Sequence, residues 1–145
     1  ADENYANNIA NYALFLSDIR NDYDNAEIYY KKAIEINPNE ANYIGNYAHS
    51  IITLKEDFIN AERLINKAFE LVKDDNKTLL AELWFYRYAH YQQWYEKAEQ
   101  ELNKLVLEGA KSEGWDLESH IKIAIKNNHP NVNKLQEFSD AITKE

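Results

Sequence analysis

The chain has 145 residues, long enough for a continuous hydrophobic core within one domain. It sets 25 Asp and Glu against 16 Lys and Arg, a formal net charge of −9, which argues against a nucleic-acid backbone or an anionic membrane as the main partner. Zero Cys excludes disulfides, thiolate metal sites and thiol catalysis, and only three Gly and two Pro favour long helices with short loops over a sandwich or barrel.

No apolar run approaches the roughly 18 residues that a membrane span needs, and no secretory hydrophobic segment is present. The chain contains no Met, even at position 1, so an excised piece of a longer protein is expected, with a processed chain as the alternative. A Cys-free protein suits either redox environment. A cytoplasmic setting is favoured, and a processed secreted chain is the other option.

Residues 1–6 are polar and read as a frayed lead-in. Apolar spacing predicts a helix over 7–19, with Ile9, Tyr12, Ala13 and Leu16 inward. Arg20-Asn21-Asp22 turns the chain, and Asp24 with Glu27 forms a capping-box pair for a second helix that Pro38 ends. Asn39 caps a helix over 40–54 whose buried stripe is Ile44, Ala48, Ile51 and Ile52. A helix over 58–72 follows, then the polar linker Lys73-Asp74-Asp75-Asn76-Lys77, then helices over 77–92 and 95–109. Gly109 reads as a left-handed helix stop, and Lys111-Ser112-Glu113-Gly114 as a turn. A shorter helix capped by Asp116 carries Ile121, Ala124 and Ile125 inward, and Asn127-Asn128-His129-Pro130 breaks it. The last helix, 131–143, buries Val132, Leu135, Phe138 and Ile142.

The chain repeats itself. Asp22-Tyr23-Asp24-Asn25-Ala26-Glu27 is answered by Asp57-Phe58-Ile59-Asn60-Ala61-Glu62, and Ala10-Asn11-Tyr12-Ala13 by Gly45-Asn46-Tyr47-Ala48, both at a shift of 35 residues. The unit is therefore a helix pair, and a period in the thirties means a stacked array. A degenerate third copy, Trp94-Tyr95-Glu96-Lys97-Ala98-Glu99, follows 37 residues later.

The pattern aromatic–x–x–Ala–x–x–x–aromatic–x–x–Ala ending at Pro stands as Tyr23, Ala26, Tyr30, Ala33 and Pro38, and again as Phe58, Ala61, Ile65 and Ala68, with Lys73 where Pro would fall. It resembles the second helix of tetratricopeptide repeats. The third copy keeps Tyr95, Ala98 and Leu102 but has Leu105 for the later Ala, and the family's Leu-Gly is met only loosely by Ile9-Ala10 and Ile44-Gly45. The resemblance spans roughly residues 5–110. It implies an all-α, right-handed α-solenoid of three antiparallel helix pairs (7–38, 39–73 and 77–110, within 1–110). Two C-terminal helices, 111–145, lack the Tyr/Ala pattern and are read as a cap, or else as a partner-binding element.

Signatures of chemistry are missing: no Gly-rich phosphate loop, no nucleophile elbow, no His pair at metal spacing. His49 and His90 fall on first helices as surface or groove residues, and His129 reads as a turn residue. No catalytic residue, metal or cofactor is expected. The first helices of the family line a concave binding surface. By that resemblance the face carries Asn11, Phe15 and Asp18, then Asn46, Ser50 and Thr53, then Leu83, Arg87 and His90. The carboxamides Asn11 and Asn46 can pair with both groups of an extended peptide backbone, or can tie neighbouring repeats together. Arg87 is the one cation on that face, which disfavours a carboxylate clamp. Trp84, Tyr88 and Tyr91 share a second face, as packing against the following helices or as an exposed interaction platform.

The expected function is a noncatalytic scaffold that receives a neutral or basic peptide, or a partner's helix, in the groove. The alternatives are a regulatory or sensor arm of a larger multidomain enzyme or effector, and an RNA-binding helical repeat, which the acidity disfavours.

Overall fold

The computed structural model describes residues 2–145, with side chains from Glu3 onward. Among these the regular structure is eight α-helices and one 3-10 turn, with no strand. The helices are α1 (Asp2–Asp18), α2 (Tyr23–Ile36), α3 (Ala41–Lys55), α4 (Phe58–Leu71), α5 (Lys77–His90), α6 (Tyr95–Leu107), α7 (Glu118–Lys126) and α8 (Val132–Thr143), with the 3-10 turn at Gln92–Trp94. No helix of the described residues is long and apolar enough to cross a membrane. By packing, the chain separates into two compact units, residues 1–72 and 73–145.

In the first unit α1 packs on α2 and α3 on α4, while α3 also lies against α2 and α1. Ala26, Ala33, Ala61 and Ala68 are wholly buried, with Tyr30 and Ile65 between them. Small side chains let the backbones approach, and the large ones fill what remains. The 35-residue shift reappears in the local geometry. Asn21 and Glu56, 35 apart, both end a first helix in the left-handed region. Asp22 and Asp57 then cap α2 and α4 alike, each accepting from the backbone N–H and the side-chain amide of an Asn three residues on. Three cross-links set α1 beside α3 in the same direction: Tyr43 to Asn7, Ser17 to Ser50, and His49 to Asp18.

The second unit is built around α5, whose residues 81–89 are all buried. α6, α7 and α8 pack on α5, α8 also touches α6, and α7 touches α8. Leu83, Phe85, Leu102, Leu117, Leu135 and Ile142 fill the core. The link between α6 and α7 turns at Gly109 and Gly114, both at positive φ, where a side chain would be strained. Ser112 and Gly114 donate their backbone N–H groups to the carbonyls of Ile142 and Thr143, fastening the link to the end of α8.

Several expectations need correction. Residues 2–6 are not a frayed lead-in but the first turns of α1, anchored by buried Ala6; residue 1 lies outside the described residues. Asp22, not Asp24, caps α2, and Glu27 is taken by tyrosine hydroxyls instead. Glu40, not Asn39, caps α3. The helix expected over 77–92 ends at His90, and the 3-10 turn replaces the left-handed residue and Asp cap of the first two pairs. That difference is why the third copy is faint in the sequence. Asp116 does accept from Ser119 as a cap should, although α7 opens only at Glu118. Tyr12 and Ile125 point outward rather than inward, Val132 is half-buried, and Ile123 is buried in the place given to Ile125. Gly109 holds the expected left-handed conformation.

Candidate functional site

The first helices of the first unit present the residues assigned to a groove, and the structure divides them into two groups. Asn11 is exposed, Asn46 is half-buried, and neither carboxamide makes a hydrogen bond among the described residues. Phe15, one turn beyond Asn11, is 40% exposed, with Tyr12 stacked on it at 6.4 Å and the Arg20 guanidinium over its ring at 5.5 Å. These three form an open polar and aromatic surface.

Ser50 and Asp18 are held in hydrogen bonds between helices, and Thr53 in one within its own helix. Ser50 is wholly buried and bonds Ser17 Oγ at 2.7 Å and the Tyr30 hydroxyl at 2.9 Å. Ser17 reaches on to Asp18 Oδ1 at 3.2 Å, and the same carboxylate faces Nε2 of buried His49 at 3.2 Å. Thr53 donates its hydroxyl to the His49 carbonyl of its own helix. The result is a relay of hydroxyls from Tyr30 through Ser50 and Ser17 to the Asp18 carboxylate, joining three helices. Burial, more than the Asp18 charge, raises the Tyr30 phenol above its ordinary value, so it stays a neutral hydroxyl. His49, expected as a surface or groove residue, is instead a core residue. A single buried hydroxyl at the Asn face would have been visible from Ser50 alone only by knowing what α1 and α2 bring opposite it.

In the second unit the expected groove and platform residues are also packed. Arg87 is 7% exposed and lies between two indoles, 3.8 Å from the Trp94 ring centre and 5.0 Å from that of Trp84. His90 shares a hydrogen bond of 2.9 Å with Nδ1 of His120 on α7. Trp84, Tyr88 and Tyr91 are buried: Trp84 meets Trp94 edge-on, and Tyr88 meets Tyr95, Phe138 and His129. Arg87 therefore presents no free cation to a ligand, and the aromatic triad forms packing rather than an open face.

A cleft that the sequence did not suggest lies in the first unit among α2, α3 and α4. It encloses about 360 Å³ and is lined by Tyr23, Glu27, Lys31, Tyr47, Asp57 and Arg63, among others. The Tyr23 and Tyr47 hydroxyls both donate to Glu27 Oε2, at 3.0 and 2.9 Å, and Lys31 Nζ stands 3.7 Å from the same oxygen. Burial works to raise the Glu27 carboxyl, but the two phenol hydrogen bonds and the Lys31 charge outweigh it and hold it below its ordinary value. Burial, together with that carboxylate, pushes Tyr23 up to about 12 and raises Tyr47 as well. With two anions and two cations on its walls, the cleft has no charge preference of its own. Its one sequence signal was Tyr23, the aromatic of the Asp-aromatic-x-x-Ala pattern that opens α2, which reads as part of the helix repeat.

No family model matches the chain, and none of the curated proteins or solved structures compared with it matches either.

Proposed function

We propose that the protein is a noncatalytic interaction module that binds an extended peptide along the first-helix face of residues 1–72. The observation that carries this reading is the pair Asn11 and Asn46. They occupy equivalent positions on α1 and α3, and neither is spent on a hydrogen bond among the described residues. A carboxamide offers a donor pair and an acceptor, so two at one register can hold the N–H and C=O groups of a peptide backbone. Had these residues tied α1 to α3, their amides would be engaged; the cross-links are made by Asn7, Ser17 and Asp18 instead. Phe15 supplies an apolar contact beside them. The net charge of −9 favours a neutral or basic peptide over an acidic one. The tetratricopeptide-like pattern and its stacked helix pairs give the reading its architectural context.

The test is selection from a random peptide display library on the full chain, with N11A/N46A as the counter-screen. Both substitutions fall outside the core, so the variant should melt within a few degrees of wild type. Peptides enriched on wild type should bind the double variant at least about tenfold more weakly, as the loss of two to three backbone hydrogen bonds implies. Equal binding to both proteins rejects the carboxamide face.

A further inference from the structure

Three of the four histidines, His90, His120 and His129, tie the last turns of α5 to α7 and to the α7–α8 turn: His90 bonds His120 of α7, and His129 of the turn bonds the Tyr88 carbonyl. Each joins residues at least 30 apart in sequence. The hydrogen bonds fix what these rings can do. His129 Nε2 lies 2.8 Å from the Tyr88 carbonyl, which can only accept, so this nitrogen carries the proton. Its Nδ1 lies 3.0 Å from the backbone N–H of Asn131 and must therefore accept. A second proton on His129 would set N–H against N–H at the turn that starts α8. The His90–His120 bond likewise needs one bare nitrogen, and it fails when both rings carry protons there. His120 is fully buried and stacks on Tyr86 at 4.6 Å.

We propose that residues 111–145 form an acid-labile cover on α5: protonation of His129 and of the His90–His120 pair releases α7 and α8 and lays open Tyr86 and Tyr88. Aromatic and imidazole rings face these groups. Tyr86 and Tyr91 of α5 face the His90–His120 pair, and Tyr88 with Tyr95 of α6 faces His129. The carboxylates on that side, Glu99 of α6 and Glu137 of α8, bear on the Tyr88 hydroxyl. Ser112 adds a further clasp by donating to Glu82 of α5 at 2.6 Å, and Trp115 donates to the Tyr86 hydroxyl at 2.8 Å.

The direction of the pH effect follows from burial. Burial, with the charge of His129 in second place, pushes His90 down to about 3, and burial lowers His129. The closed cover therefore keeps His90 and His129 neutral, while its release lets them bind protons below about pH 6.5. The stabilisation is whole above that value and is lost as the pH falls. His90 alone shifts the closed-to-open ratio about thirtyfold toward open at pH 5.

Hydrogen exchange by mass spectrometry on the full chain, at pH 7.5, 6.0 and 5.0 with intrinsic rates normalised, tests this. Amides of α7 and α8 should lose about thirtyfold protection by pH 5 while those of α1–α4 change less than about threefold. Unchanged protection in α7 and α8, or loss in step with α1–α4, overturns the proposal. In H129Q the acid response should shrink; a response of wild-type midpoint and size removes His129 from the mechanism. If H129Q already leaves α7 and α8 unprotected at pH 7.5, H120Q takes its place, and the same shrinkage is required of it.

Discussion

Residues 1–72 bury their polar side chains in a relay of hydroxyls that ends on a carboxylate, whereas residues 73–145 bury imidazoles against one another and against backbone groups. A hydroxyl can rotate to donate or accept, and the Asp18 carboxylate can receive a hydrogen bond from His49 whether that ring is neutral or charged. The imidazole contacts lack this tolerance, because each needs a bare nitrogen at a set place. Two helical units of similar size thus answer the cost of burying polar groups in ways that differ in their response to acid.

The comparison is sharpened most by emptying the first relay. Tyr30→Ala removes a wholly buried ring that stacks on Tyr47 at 5.2 Å and bonds Ser50. It should cost residues 1–72 about 3–5 kcal/mol, read by denaturant titration with exchange of α1–α4 amides as the local probe. An effect below 1 kcal/mol would mean that the ring is not a packed anchor. Asp18→Ala should cost about 1–3 kcal/mol by depriving Ser17 and buried His49 of their acceptor. In the other unit Ser112→Ala makes the converse change, taking a hydroxyl donor from the buried Glu82 carboxyl, with a cost of about 1–3 kcal/mol that falls on α7 and α8. Should Asp18→Ala make α1–α4 acid-sensitive, the contrast between relay and imidazoles gains its cause.

The helices and the 35-residue shift were legible because Ala and large apolar residues recur at helical spacing, with Asp22 and Asp57 recurring ahead of them; the left-handed residues Asn21 and Glu56 share no side-chain type and gave no such signal. The third pair was harder to read because Tyr91 and the 3-10 turn at Gln92–Trp94 replace that turn chemistry. The candidate site was half legible. Asn11 and Phe15 are exposed and Asn46 is half-buried, but Ser50 and Arg87 look identical in sequence to surface residues. Ser50 is taken by Ser17 and Tyr30, 33 and 20 residues away, and Arg87 is closed between Trp84 and Trp94. Helical period reports which face a residue is on, and not what another helix brings to it.

The smallest expected effect concerns the cleft among α2, α3 and α4. Tyr23→Phe removes one of two phenol hydrogen bonds to Glu27 and should cost about 0.5–1.5 kcal/mol near neutral pH. Tyr23 keeps its proton up to about pH 12 when folded but loses it near 10 when unfolded, so its contribution is whole below pH 10 and lost as the pH rises above it. The variant should accordingly show a shallower alkaline loss of stability between pH 10 and 12. An alkaline profile identical to wild type would place the phenol in solvent.

The most direct measurement is an NMR titration of the full chain with a peptide selected on it, following the side-chain amide signals of Asn11 and Asn46. Saturable shifts of both signals, with α1 and α3 neighbours moving alongside, are the predicted result. Shifts confined to Tyr23, Glu27 and Arg63, with both carboxamides unmoved, would place the peptide in the cleft and contradict the assignment.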